Sequence, residues 1–330
     1  MDKAKADFLQ FLGTGSGFAD THNNAFWFAD VLFCADAPST QSDCRQCLFL
    51  IDLSLLNFQK VVKLIEDSGV CYVVILLTHI HPDHASGIGT LMDWAEGRRR
   101  FHQKEIYVHV VCGSHELAKQ LEKLLTISGT TAYAKHDTCC SILQMDPIFH
   151  HISPLYRKSN HNMLYYSSNA TAHSQGEALD YLFQPVAVTH GTMSAFGWLI
   201  NPQNGPLIVY TGDTDSIEYF DRQVIQLLDA VKRQNILFGQ THTVDMECYC
   251  TMETYPKSGR NMTMNGNSQE VLDRLKILYH ESVVRSLRCV FMHYNDYDTL
   301  LEQMETTGFM EQVSPLAPKV TIAVARPAAI

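Results

Sequence analysis

Short apolar runs bounded by turn-forming residues recur at 8–12, 48–51, 73–77, 106–111, 186–188, 207–210, 236–238 and 289–292, and the pattern predicts a β-strand at each. Most of these runs are apolar almost without interruption, as expected of strands covered on both faces. Between several of them the apolar positions follow a helical period instead, at 57–67, 116–126, 216–232 and 268–286. The predicted fold class is α/β, with helices layered on sheet. The residues just past the strands are polar: Gly13-Thr14-Gly15-Ser16-Gly17, then Asp52, Thr78-His79, Thr189-His190, Gly212-Asp213, Gln240-Thr241-His242 and His293. Ligand sites of layered α/β proteins collect where loops leave the strands, so one shared site is expected.

Residues 130–184 break the pattern. They are irregular, with His150-His151, Tyr156-Arg157-Lys158, His161 and a polar tract at 167–176, and read as an inserted loop or cap on a single domain spanning 1–330. The glycine loop at 13–17 is a weak phosphate-loop signal. Residues 24–34 after it read as strand where a dinucleotide fold needs a helix, so a Rossmann arrangement is rejected. Asn23 and Asn24 are candidate pocket residues beside that loop.

Composition narrows the function. At 46% hydrophobic and 18% charged, the 330-residue chain is globular rather than disordered. It has neither a membrane-length apolar run nor a secretory signal pattern, and a cytoplasmic location is expected. The net charge of −10, from 25 basic and 35 acidic residues, disfavours nucleic acid as a partner. The ten cysteines are dispersed, with Cys44 and Cys47, Cys139-Cys140 and Cys248-Tyr249-Cys250 the only clusters, and read as reduced buried thiols.

The strongest chemical signal is Thr78-His79-Ile80-His81-Pro82-Asp83-His84, directly after an apolar strand. Side chains two apart on extended chain point the same way, which pairs His79 with His81, and the turn at Pro82 redirects Asp83 and His84. Nitrogen and carboxylate donors without thiolate suit a catalytic zinc ion, with manganese or iron also accepted.

His79, His81, Asp83 and His84 match in full the HxHxDH motif of the metallo-β-lactamase superfamily, which the chain resembles. Further segments, Phe11-Leu12-Gly13-Thr14-Gly15-Ser16-Gly17, Val188-Thr189-His190-Gly191 running on to Ser194-Ala195-Phe196-Gly197-Trp198, Tyr210-Thr211-Gly212-Asp213-Thr214 and Phe291-Met292-His293, resemble the successive motifs of its phosphodiesterase branch. That branch includes ribonuclease Z, the PhnP-type enzymes and class II cyclic-nucleotide phosphodiesterases. The resemblance implies a four-layered αββα sandwich and a dinuclear centre. His79, His81 and His190 would hold one divalent ion, Asp83, His84 and His293 the other, and Asp213 would lie between them. Asp52 resembles the aspartate that steadies a ligand from behind in this family. Two divalent ions, less two aspartates and a bridging hydroxide, leave a net charge of about +1 at the reacting atom, which suits a phosphate ester in an acidic protein.

The proton donor to the leaving group is less marked. His242 is one candidate. The family's histidine near the penultimate helix is replaced here by the stretch Arg260-Asn261-Met262-Thr263-Met264-Asn265, where Asn261 or Asn265 would donate to a phosphate oxygen. The expected activity is hydrolysis of a small phosphodiester or cyclic nucleotide by a hydroxide bound to the metal pair, with Asp83 in the reacting group. Lactone or thioester hydrolysis, tRNA 3′-processing and a non-catalytic metal-stabilised binding scaffold are the alternatives. Only a dozen residues, 201–212, stand where ribonuclease Z carries its tRNA-gripping arm. No membrane partner is expected, and a homodimer stays open.

Overall fold

The computed structural model describes residues 9–13, 25–34, 44–104, 106–130, 132–133, 139–145, 152–154, 164–165, 183–200, 205–218, 220–239, 241–254 and 261–325. The first half runs β1 (Gln10–Gly13), β2 (Ala25–Cys34), β3 (Cys44–Ile51), α1 (Phe58–Ser68), β4 (Tyr72–Leu77), α2 (Pro82–Ala85), α3 (Ile88–His102), β5 (Tyr107–Cys112), α4 (His115–Ile127), β6 (Cys140–Met145), β7 (Ile152–Pro154) and β8 (Leu164–Tyr165). The second half runs β9 (Phe183–Val188), β10 (Ala195–Ile200), β11 (Leu207–Tyr210), α5 (Phe220–Phe238), β12 (Val244–Thr251), α6 (Met264–His280), β13 (Val284–Met292), α7 (Tyr297–Thr306), α8 (Phe309–Val313) and β14 (Val320–Val324).

Each half builds one sheet. The first has the order β1-β2-β3-β4-β5-β6-β7 with β8 beside β2, and is parallel from β3 to β6. The second has the order β14-β13-β12-β11-β10-β9 and is parallel from β11 to β14. Alternation along each strand sends successive side chains to opposite faces. Tyr72, Val74 and Leu76 of β4 face Trp198, Ile208, Tyr210 and Val290 of the second sheet in a shared middle core. Val73, Ile75 and Leu77 instead meet Val61, Ile65, Leu91 and Leu121 from α1, α3 and α4. On the far side Val209, Cys250 and Phe291 pack on Val224, Leu228, Val271 and Leu300 from α5, α6 and α7. The result is helix, sheet, sheet, helix, and it explains why the strands are apolar on both faces.

His109 is a polar member of the middle layer. It lies on the same face of β5 as Val111, its Nδ1 is 2.7 Å from Ser141 Oγ, and burial pushes it down to about 4. Folding therefore keeps the ring neutral, and the unfolded chain binds the extra proton below about pH 6.5. The stability this contributes is complete above that value and is lost as pH falls toward 4, by on the order of 3 kcal/mol. His109→Gln is expected to flatten this acid limb relative to the wild type, measured by urea unfolding at pH 7.5 and 4.5. Parallel limbs for the two proteins would contradict it.

Two sequence expectations change. Residues 236–238 are not a strand but the last turn of α5, with Ile236 and Leu237 exposed, and the strand of this region is β12. A three-residue apolar run looks alike in either element. Part of the 130–184 stretch belongs to the sheets: β6 pairs parallel with β5, and β9 begins at Phe183. His150, His151, Tyr156, Arg157, Lys158 and His161 lie outside the described residues, as do Asn23, Asn24, Gly15 and Gly17. The strand reading after the glycine loop holds, since β2 comes next and pairs antiparallel with β1. The seven cysteines whose side chains are described are all free thiols, six of them buried. Among the described residues, no helix is long and apolar enough to cross a membrane.

Candidate metal centre

The chemistry-bearing side chains leave the strands at one edge of the sandwich, where the two sheets meet. Thr78 and His79 follow β4, and the backbone N–H of Phe196 at the start of β10 donates to Thr78 O at 3.0 Å, tying the sheets together beside the site. Pro82 opens α2 at a position that needs no N–H donor, and this short helix carries Asp83 and His84 back toward His79. His190 follows β9, Asp213 follows β11 and His293 follows β13. Three of these exits turn through the left-handed region: Asp52 and His293 at φ 60° and Gly212 at φ 62°. A Cβ on Gly212 would lie 2.6 Å from Phe196 O, so glycine is required there for space as well as for backbone angle. The left-handed conformation at Asp52 and His293 costs of order 1 to 3 kcal/mol each and is held in place by the surrounding fold.

Two groups of donors result, each with its ligand atoms within 4.8 Å of one another: His79, His81, His190 and Asp213, and Asp83, His84 and His293. In the first, His81 Nδ1 lies 2.9 Å from His79 Nε2 and 3.3 Å from His190 Nε2, while Asp213 Oδ2 is 4.0 Å from Nε2 of both His79 and His190. In the second, Asp83 Oδ2 is 3.4 Å from His84 Nε2 and from His293 Nε2. Asp213 also reaches this group, with Oδ2 3.6 Å from His84 Nε2 and Oδ1 3.5 Å from His293 Nδ1.

Either group could hold a metal ion, and the residues fit one. His84 Nε2, Asp213 Oδ1 and His293 Nδ1 are buried and without hydrogen-bond partners. Buried polar atoms are normally satisfied, and a cation would satisfy all three at once. Charge supports the same reading. Burial, with the imidazoles of His84, His190 and His81 around it, drives His79 well below the ordinary histidine value, and burial and His190 lower His81, so both rings present lone pairs. Burial would do the same to His84 and His293, but Asp213, Asp52 and Asp83 around His84, and Asp213 and Asp83 around His293, reverse it and raise both. Burial would raise Asp83, yet His84 and His293 hold it far below the carboxylate range. The second group thus attracts positive charge, a role a proton or a metal ion can fill.

Asp52 lies behind the candidate donors, fully buried. It accepts from Thr78 N and Thr78 Oγ1, each at 2.8 Å, and sits 2.7 Å from His84 Nδ1, which leaves His84 Nε2 to face the centre. Burial raises its carboxyl despite these partners.

Asn261 is drawn in by a different route from the one expected. Its Nδ2 lies 3.3 Å from Asp213 Oδ2 and 2.8 Å from Glu253 Oε1, so its amide hydrogens serve two carboxylates rather than a phosphate oxygen. Glu253, 8% exposed, is a site residue that the sequence reading missed. It lies just past the exit of β12, and reading residues 244–251 as a strand would have placed it with the others. His242 is a correction. It precedes β12 instead of following a strand, is exposed, and exchanges hydrogen bonds with Asn235 through its backbone at 2.8 and 2.9 Å. The eight-residue length of β12, about 26 Å, separates it from the centre, so it cannot act as the general acid. Asn265 is exposed in the first turn of α6.

No protein-family model matches the sequence, and no curated protein matches it. Among solved structures, the metallo-beta-lactamase fold protein YhfI from Bacillus subtilis superposes on 97% of this chain and 96% of its own, with a TM-score of 0.53 at 13% identity. The chain has the metallo-β-lactamase fold. Looser alignments pair it with a putative metallo-beta-lactamase from Thermotoga maritima (11% identity, 66% of this chain and 93% of that one, TM-score 0.27) and with TMB-1 (12%, 71% and 86%, TM-score 0.26), and neither adds to the comparison. In this chain's version of the metallo-β-lactamase fold the candidate donors come from both sheets. The loop after β4 supplies His79, His81, Asp83 and His84 from the first sheet, and the second sheet supplies His190, Asp213 and His293.

Proposed function

We propose that this chain is a metal-dependent hydrolase acting on a small phosphodiester, cyclic nucleotides included. The observation that carries the reading is the meeting of seven nitrogen and oxygen donors from dispersed strand exits in two groups that adjoin at Asp213. The donor set suits two zinc ions, with manganese or iron as substitutes. A bound pair would bring water to its nucleophilic form near neutral pH and polarise the bond to be cleaved.

The chain's own residues set the geometry. Asp52 fixes the tautomer and angle of His84, and Asn261 fixes Asp213. His81 and Asp83 are the least covered of the seven, so substrate enters on their side. With His84 and His293 keeping it ionised, Asp83 can accept a hydrogen bond from an attacking water but is a poor source of a proton. Only six residues, 201–206, join β10 to β11, which pair as an antiparallel hairpin. That connection is too short for an RNA-gripping arm, and together with the net charge of −10 it favours a small substrate over tRNA.

A second reading, hydrolysis of a neutral lactone or thioester, gains support from the charges. Asp52 and Glu253 join Asp83 and Asp213 in and beside the centre, and four carboxylates would offset two divalent cations in full. Metal analysis of the purified protein, coupled to a panel of bis(p-nitrophenyl) phosphate, 2′,3′- and 3′,5′-cyclic nucleotides, lactones, thioesters and nitrocefin, separates the two. Phosphodiester turnover abolished by chelation and restored by zinc is expected. Turnover of the lactones or thioesters alone would replace the first reading with the second, and bound metal with no turnover would leave a binding scaffold.

A further inference from the structure

The carboxylate of Asp213 reaches both donor groups, so its rotation decides which oxygen faces which group. No described hydrogen bond steadies Oδ1. Oδ2 is steadied by Asn261 Nδ2 at 3.3 Å. A lone amide contact of that length leaves the Asn261 side chain free to swivel, but its other amide hydrogen is drawn to Glu253 Oε1 at 2.8 Å. Both neighbours are acceptors, which settles the amide orientation: the nitrogen must face them and the oxygen must face away.

The backbone beneath is laced in the same sense. Glu253 N donates to Met262 O at 2.9 Å, and Met262 N donates to Thr214 O at 2.7 Å. The segments carrying Glu253, Asn261 and Asp213 are therefore fixed to one another before any side chain is considered. Glu253 and Asp213 are both buried, and two like-charged carboxylates against a single amide repel each other unless a cation lies close by.

We propose that Glu253 is a positioning residue which, through Asn261, sets the carboxylate of Asp213 for the metal pair. This rests on the metal-dependent reading above. Glu253 lies outside both donor groups, and on this proposal its influence travels through the Asn261 amide: remove Asn261, and Glu253 has nothing left to position.

The test is a double-mutant cycle on the full chain with Glu253→Ala, Asn261→Ala and the pair, reading zinc affinity by chelator competition and, separately, kcat for whichever panel substrate the wild type turns over. Each single variant is expected to bind zinc about 10- to 100-fold more weakly, the usual range for a group supporting a metal ligand. The double variant is expected to be no weaker than Asn261→Ala alone. Circular dichroism of the metal-free proteins reports folding. Should Glu253→Ala not fold, Asn261→Ala together with Asn261→Leu, which fills the space without an amide, carries the test, and unchanged zinc affinity in both would overturn the proposal. Multiplying losses would mean that Glu253 acts by its charge alone and would also overturn it. A wild type that binds no metal would remove the functional reading itself, whereas a wild type that binds metal beside unaffected variants would remove only this inference.

Discussion

Alanine at Asp213 is expected to lower hydrolysis by about a thousandfold, the rate equivalent of about 4 kcal/mol, and to reduce bound metal from two equivalents to one or fewer. The reason is its position. Asp213 is 3% exposed and has one oxygen within 3.6 Å of His84 and the other within 3.5 Å of His293, while its Oδ2 also approaches His79 and His190. Removing any one histidine weakens one group. Removing Asp213 deprives both of a shared negative charge and leaves Asn261 with an unmet amide hydrogen. Inductively coupled plasma mass spectrometry of the desalted protein and steady-state rates on the best panel substrate measure the two effects. Full turnover in the variant would contradict the metal-dependent mechanism.

Asp52 yields two outcomes according to the replacement. Asp52→Ala strands Thr78 N, Thr78 Oγ1 and His84 Nδ1 in a fully buried place, and breaking one side of such a pair costs about 3 to 5 kcal/mol. The melting temperature is expected to fall by roughly 5 °C, read by calorimetry of the metal-free protein. Asp52→Asn should be far milder for folding, because asparagine accepts the left-handed backbone at φ 60° and still receives the Thr78 N–H. Its amide then faces His84 Nδ1 as a donor, which forces the imidazole proton onto Nε2, the atom aimed at the centre. That variant should fold and yet hold about one metal equivalent fewer. Two full equivalents would show that Asp52 does not select the His84 tautomer.

The candidate donor set was legible because most of it follows a rule visible in one dimension: a buried strand ends and a histidine or a carboxylate comes next. Asp52, His79, His190, Asp213 and His293 all obey it, and the structure brings them together. Glu253 obeys it too but was hidden, because β12 does not read as a strand. Its polar residues are satisfied from neighbouring positions, Asp245 by Arg285 and Ser286 of β13 and Glu247 by the hydroxyl of Tyr249, and such pairing is invisible in a window of sequence. The same omission misplaced His242. With the strand drawn at 236–238, the histidine sits at an exit, whereas α5 runs through those residues and delivers His242 to the far end of the sheet. Asn261 stands out in the sequence only by its amide, and its partners, two carboxylates from other strand exits, come together only in the folded chain.

Four of the seven donors lie within six successive positions, 79 to 84, and the other three arrive from the opposite sheet. When the sandwich comes apart, His79, His81, Asp83 and His84 stay neighbours by covalent connection. The denatured chain therefore retains a loose claw that competes for the same ions, and added zinc should raise the melting temperature less steeply with concentration than a ligand excluded from unfolded molecules would.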